Sequence, residues 1–312
     1  MTHPRTISDR MSGTVNRRSL LLGAAAGLVV AACGGDTIGD QAVAGDTQNE
    51  GIAPVQLFPG FAYSAVDPGI LRPGSPQRAP FVLLESDGAP LVDGPDTIDV
   101  DLMDAGGALV STHTLVKHAA GIPSPYYPML FTVDESGTYT ASTTIEGVDS
   151  SWEFFVAEAD KVALAQPGDA LAPVPTPTAD EPLATEPICT RNPPCPFHER
   201  SHADIVGTGR PTVLLVSTPA YCQTVICGPV LDLLIDVAPD FAHIDMVHAE
   251  VYKDAAETGN IIGASLTEAA VIVPGALFEP SLILTDGEGM VIARLDFTYD
   301  RDELIQALSS VT

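Results

Sequence analysis

Chemistry in this chain of 312 residues concentrates in its cysteines and histidines. Cys222 and Cys227 lie in Ser217-Thr218-Pro219-Ala220-Tyr221-Cys222-Gln223-Thr224-Val225-Ile226-Cys227-Gly228-Pro229, a C-x4-C spacing. A thiolate beside a resolving thiol can exchange disulfides with another protein, whereas the same two sulfurs, once sealed from solvent, are an inert staple. Cys189 and Cys195 bracket Thr190-Arg191-Asn192-Pro193-Pro194, whose two prolines hold the loop ends near each other, so a local Cys189–Cys195 disulfide is the default expectation. Adding His198 and His202 would instead make a Cys2His2 donor set for zinc or copper. His248, beside the C-x4-C pair, leaves a copper-handling alternative open. His113, His118, Met103 and Met129 are single residues of ligand type and read as surface or packing positions. No metal and no other cofactor is assigned.

The elements around these residues decide what they can do. Thr212-Val213-Leu214-Leu215-Val216 is a continuous apolar run, the signature of a strand buried on both faces, and Gly228 to Ala238 has helical periodicity. Cys222 therefore falls between a buried strand and a helix start, where unpaired N–H groups and the helix dipole favour thiolate over thiol. In a regular helix, α-carbons five apart lie ~8.6 Å apart, beyond the ~7 Å reach of a disulfide, so a bonded pair requires an irregular first turn. Further strands are expected at Ile244 to Tyr252, Ser281 to Leu284 and Met290 to Leu295, the last two joined by the turn Asp286-Gly287-Glu288-Gly289. A closing helix over Arg301 to Leu308 is capped by Asp300. Ala255 to Phe278 is either a helix over the cysteines or a lid.

From about Arg210 to Leu308 the chain resembles the thioredoxin superfamily. The resemblance rests on the strand–cysteine–helix junction, on Gly228-Pro229-Val230-Leu231-Asp232 in the following helix, and on Glu279-Pro280-Ser281 opening a later strand. It implies that Pro280 belongs to the family's cis-proline loop, packs beside the cysteines and presents backbone to a bound peptide. It implies thiol–disulfide exchange with Cys222 attacking and Cys227 resolving; Cys227-Gly228-Pro229-Val230, which looks like C-G-P-C without its second cysteine, leaves the reverse order open. The C-x4-C spacing after Thr218-Pro219 also resembles an atypical two-cysteine peroxiredoxin class, although Pro219 stands where that class needs a hydroxyl.

Residues 55–158 show short β-type runs without a convincing helix: Phe81 to Leu84, Thr97 to Met103, Met129 to Val133, Thr138 to Thr143 and Trp152 to Val156. Such spacing suggests an all-β, immunoglobulin-like sandwich with Trp152, Phe154 and Tyr139 in its core. Nine prolines fall between Pro167 and Pro196, so residues 159–200 read as an extended linker to an α/β thioredoxin-like domain over 201–312.

Ahead of these, Asn16-Arg17-Arg18-Ser19-Leu20-Leu21 resembles a twin-arginine export signal, and Val30-Ala31-Ala32-Cys33 a bacterial lipobox. Residues 1–32 are then a signal peptide, Cys33 the lipidated residue, and 33–54 a flexible tether. The chain would be a lipoprotein on the extracytoplasmic face of the cell membrane. Its formal charge is −27, from 14 basic and 41 acidic residues, which argues against nucleic acid as a partner. Expected partners are protein thiols or disulfides outside the cytoplasm, together with the membrane through the lipid on Cys33. The alternative function is a non-catalytic surface binding module or a copper-handling protein.

Overall fold

The computed structural model describes residues 55–60, 70–222, 225–259, 261, 263–275 and 278–311. Residues 1–32, expected to be a signal peptide, Cys33, the expected lipidation site, and the tether expected over 33–54 lie outside them. The described residues belong to one compact unit, Glu50–Thr312.

Its first half is antiparallel β-structure. Strands β1 (Val55–Pro59) and β2 (Gln77–Glu85) pair, as do β3 (Thr97–Asp104) and β4 (Leu109–Val116), followed by β5 (Tyr127–Phe131), β6 (Gly137–Ile145) and β7 (Val148–Val156). They form two sheets, β1-β2-β5 and β4-β3-β6-β7. The alternation in β3 sets the packing: Ile98, Val100 and Leu102 turn inward and join Ala79, Phe81 and Leu83 of β2 in one core. This arrangement is compatible with a β-sandwich. Phe154 and Tyr139 are buried as expected, while Trp152 is only partly buried and stacks at a tilt on Phe58. Strand β4 carries no clear signal in the sequence because it alternates weakly: Leu109, Val110 and Val116 are exposed and only Leu115 is buried.

The second half is a four-stranded sheet with helices. After the short helix α1 (His202–Ile205) come β8 (Thr212–Val216), α2 (Cys227–Val237), β9 (Asp245–Ala249), α3 (Ala255–Thr258), α4 (Glu268–Ile272), β10 (Ser281–Thr285), β11 (Val291–Asp296) and α5 (Arg301–Leu308). The strand order is β11-β10-β8-β9, with β8 and β9 parallel and β10 antiparallel to both β8 and β11. All five residues of β8 are buried. Val213 and Leu215 face α2 and α5, whereas Leu214 and Val216 face α1 and α4, so both surfaces of the sheet are covered. The Asp300 carboxylate accepts from the Glu303 N–H and caps α5. Among its described residues, the stretch from Ala255 to Phe278 carries only the short helices α3 and α4, and its Ala269, Ala270 and Val273 pack on the opposite face of the sheet.

The proline-rich stretch departs from the spacer expected over 159–200. Leu171 and Val174 pack with Leu214 and Val216 on one face of the sheet, while Cys189, Cys195 and Phe197 join the core on the other. The prolines prevent helix and strand but not burial. Backbone groups find partners one at a time, as in Leu171 N–H to Gly289 O and His248 N–H to Phe197 O.

Candidate functional site

The Cys222–Cys227 pair is bonded, with α-carbons 5.9 Å apart. The irregular start that the spacing demands is present: Cys222 precedes the helix, Val225 adopts φ 55°, and α2 begins only at Cys227. Cys222 is half-buried and Cys227 fully buried, so Cys222 is the more accessible of the two. The residue before α2, Ile226, makes no side-chain cap, and the Cys227 N–H points at Cys222 Sγ at 3.3 Å. Such donation at a helix start stabilises negative charge on that sulfur.

Pro280 lies immediately ahead of β10, and the Glu279–Pro280 bond is cis. The more consequential neighbour is Glu279. A carboxylate oxygen of Glu279 lies within 4.8 Å of both sulfurs, and Glu279 Oε2 accepts the Thr218 N–H at 2.6 Å. Oε1 is buried without a hydrogen-bond partner among the described residues. Burial pushes the carboxyl up to about 7, with the Thr218 donation opposing. Nothing in the sequence marks Glu279 as a partner of the thiols, since it is one of 41 acidic residues and lies far along the chain from them. The signal that could have found it is its place beside Pro280, since a loop that touches the dithiol carries its neighbours there too.

The second pair departs from expectation. Cys189 and Cys195 are not bonded to each other; both thiols are free and buried. They meet His198 and His248 in a cluster whose four ligand atoms all lie within 4.8 Å of one another. Cys195 Sγ is 3.2 Å from His198 Nε2 and 3.4 Å from His248 Nδ1, the two nitrogens are 3.3 Å apart, and Cys189 Sγ is 3.9 Å from His248 Nδ1. A hydrogen bond from Cys195 to Cys189 pushes the Cys189 thiol down and the Cys195 thiol up, so the pair shares its protons unequally. Three members come from the proline-rich stretch and the fourth from β9, which turns His248 toward the α2 side of the sheet.

His202 does not join them. It is fully buried in α1, where its Nδ1 accepts the Val174 N–H at 3.3 Å. Burial pulls its imidazole down to about 4. The Cys2His2 set expected from Cys189, Cys195, His198 and His202 is thus not formed: α1 starts at His202 and carries it away from the cluster, while His198 stays in the loop ahead of it. The remaining ligand-type residues are scattered: His118 pairs with Asp300, Met129 is core, and His113 contacts Ser111 on its own strand.

The two cysteine centres are neighbours. Ser217, at the end of β8, receives His248 Nε2 at its carbonyl oxygen, 3.0 Å away. Thr190, next to Cys189, donates through its N–H to Glu250 and accepts the Ala220 N–H through its hydroxyl. Burial pushes the Glu250 carboxyl up to about 8. No helix among the described residues is long and apolar enough to cross a membrane.

No protein-family model matches the chain, and no curated protein matches it. Among solved structures, trypsin-activated alpha-2-macroglobulin from Escherichia coli is 16% identical over 40% of this chain and 8% of that one, with a TM-score of 0.25. A mutant of Salmonella alpha-2-macroglobulin gives 17% identity over 39% and 8%, with a TM-score of 0.26. A metagenome-derived glycoside hydrolase family 9 endoglucanase gives 20% over 33% and 18%, with a TM-score of 0.24. The chain thus spans less than a fifth of each, and likeness this slight says nothing of function.

Proposed function

We propose that this protein is an extracytoplasmic, lipid-anchored thiol–disulfide oxidoreductase whose second half is a thioredoxin-like fold. The observation that carries the proposal is a half-buried Cys222 bonded to a buried Cys227 at the start of α2, with the Cys227 N–H directed at Cys222 Sγ. The sheet order β11-β10-β8-β9, with its one parallel pair, supports the fold reading. The Glu279 carboxyl within 4.8 Å of both sulfurs supports the assignment of the Pro280 loop to the site. Location and anchorage rest on the export signal and on the lipobox ending at Cys33.

In the reduced protein, the Cys222 thiolate attacks one sulfur of a partner disulfide. That S–S bond breaks, the departing partner sulfur takes up a proton, and a mixed disulfide to Cys222 remains. The Cys227 thiol then gives its proton to the Glu279 carboxylate and attacks Cys222 Sγ, releasing the second partner sulfur. Two electrons have passed to the partner and the Cys222–Cys227 bond has formed. The sequence runs equally in reverse to oxidise a partner dithiol, and a second thiol–disulfide couple outside the cytoplasm resets the pair.

Cysteine variants of the full chain test this. Cys222→Ser should abolish turnover of a protein disulfide, and Cys227→Ser should accumulate a mixed disulfide at Cys222, seen by mass spectrometry. Full turnover in Cys222→Ser would refute the proposal; a mixed disulfide trapped at Cys227 in that variant would reverse the roles of the two thiols.

A further inference from the structure

We propose that Cys189, Cys195, His198 and His248 form a closed, four-coordinate zinc site that fastens the proline-rich stretch to the sheet, separate from the Cys222–Cys227 pair. Four donors of the types that zinc prefers converge in the buried interior, and all belong to this one chain. Four of the six separations between the donor atoms match a tetrahedron around one ion, and the other two are within 4.8 Å. With Zn–N near 2.05 Å and Zn–S near 2.3 Å, tetrahedral angles require about 3.3 Å between nitrogens, about 3.5 Å between nitrogen and sulfur and about 3.8 Å between sulfurs. The nitrogens are 3.3 Å apart, and the sulfur–nitrogen separations of 3.2, 3.4 and 3.9 Å bracket the required value.

The surroundings orient the donors. His248 Nε2 donates to the Ser217 carbonyl at 3.0 Å, which leaves the Nδ1 lone pair aimed into the cluster, the arrangement by which outer hydrogen bonds set the tautomer of a metal-binding imidazole. The Cys195 N–H points at Cys189 Sγ at 3.4 Å, a donor suited to a coordinated thiolate. Four protein ligands leave no open position, so the site is structural. Loading replaces two S–H protons by one divalent cation, releases both protons and changes no oxidation state. The ion would give the loop carrying Cys189, Cys195 and His198, which has no secondary structure of its own, a fixed attachment to β9.

The test uses the full chain. Metal analysis of protein isolated without chelator should find about one zinc per chain, and Cys195→Ser and His198→Ala should each reduce it below a tenth of that. Cys222→Ser/Cys227→Ser and His202→Ala should keep it, which separates this site from the exchange pair and from the histidine that sequence spacing favoured. Because a ligand variant can fail to fold, cobalt(II) titration of the chelator-stripped, reduced wild type provides a second readout: saturation at one equivalent, with tetrahedral d–d bands and thiolate charge transfer. A Cys189–Cys195 disulfide in the isolated protein, octahedral cobalt, or retention of copper(I) with no zinc would each overturn the proposal. Loss of zinc in the Cys222→Ser/Cys227→Ser variant would move the metal to the exchange pair and overturn it equally.

Discussion

At the residue scale, the buried carboxyl of Glu279 is the group through which the proposed exchange can be tested apart from a static disulfide. Exchange needs a group that holds and returns a proton near neutral pH, and burial puts Glu279 there, at about 7 against 4.5 in its unperturbed state. Because the folded-state value lies above the unfolded one, the unfolded chain releases this proton first as pH rises. The contribution to stability is complete below pH 4.5 and is lost as pH climbs through about 7. Glu279→Gln should flatten the wild-type decline in urea midpoint of the oxidised protein across that window. It should also slow exchange at pH 7 by about 100-fold and erase the inflection near neutrality from the rate profile. An unchanged inflection would remove Glu279 from the proton path and leave the cysteine roles standing.

At the element scale, the stretch between Ala159 and Arg200 shows how proline content misleads. Nine prolines exclude helix and central strand, and composition alone then suggests a solvated spacer. Leu171, with 6% of its surface exposed, belongs instead to the core beneath β8 and β10. Leu171→Ala should therefore lower unfolding free energy by about 2–3 kcal/mol, read as a shift in urea midpoint at unchanged slope. A spacer residue would change it by less than about 0.5 kcal/mol. By contrast, β8, α2 and α5 were legible almost to the residue. An unbroken apolar run, a helical stripe and a cap followed by Arg301-Asp302-Glu303 are local signals, and local backbone energetics reward them wherever they occur.

At the scale of the whole molecule, the antiparallel sheets and the β8–β11 sheet are joined by a buried polar lock. Arg78 of β2 makes paired contacts with Glu303 of α5 at 2.6 and 2.7 Å and donates to the carbonyls of Asp296 and Thr298. The Tyr126 hydroxyl donates to Glu303 and accepts the Asp300 N–H. His118 and the N–H groups of Ala119 and Ala120 converge on Asp300. Asp300 and Glu303 thus start α5 and hold the other half at once. Arg78→Met leaves Glu303 as a buried carboxylate without its cation and should cost about 3–5 kcal/mol. Calorimetry should then separate one cooperative transition into two; a single transition at unchanged temperature would show that the halves are held by other contacts.

What this sequence determined by itself was local: the alternation of β3, the doubly buried β8, the strand–cysteine–helix junction, the capped α5, and the need for an irregular turn between Cys222 and Cys227. Those features depend on neighbours within a few residues, and their periodicity states which face is buried. Which residues meet across a buried face was decided by tertiary structure alone. His248 lies 53 residues from Cys195, and Glu279 lies 61 from Thr218. They meet because the parallel pairing of β8 with β9 and the antiparallel pairing of β8 with β10 bring those strand ends to one side of the sheet. Periodicity along a chain carries no record of that order of strands, and so neither the zinc ligand on β9 nor the buried carboxyl beside Pro280 could be read from spacing.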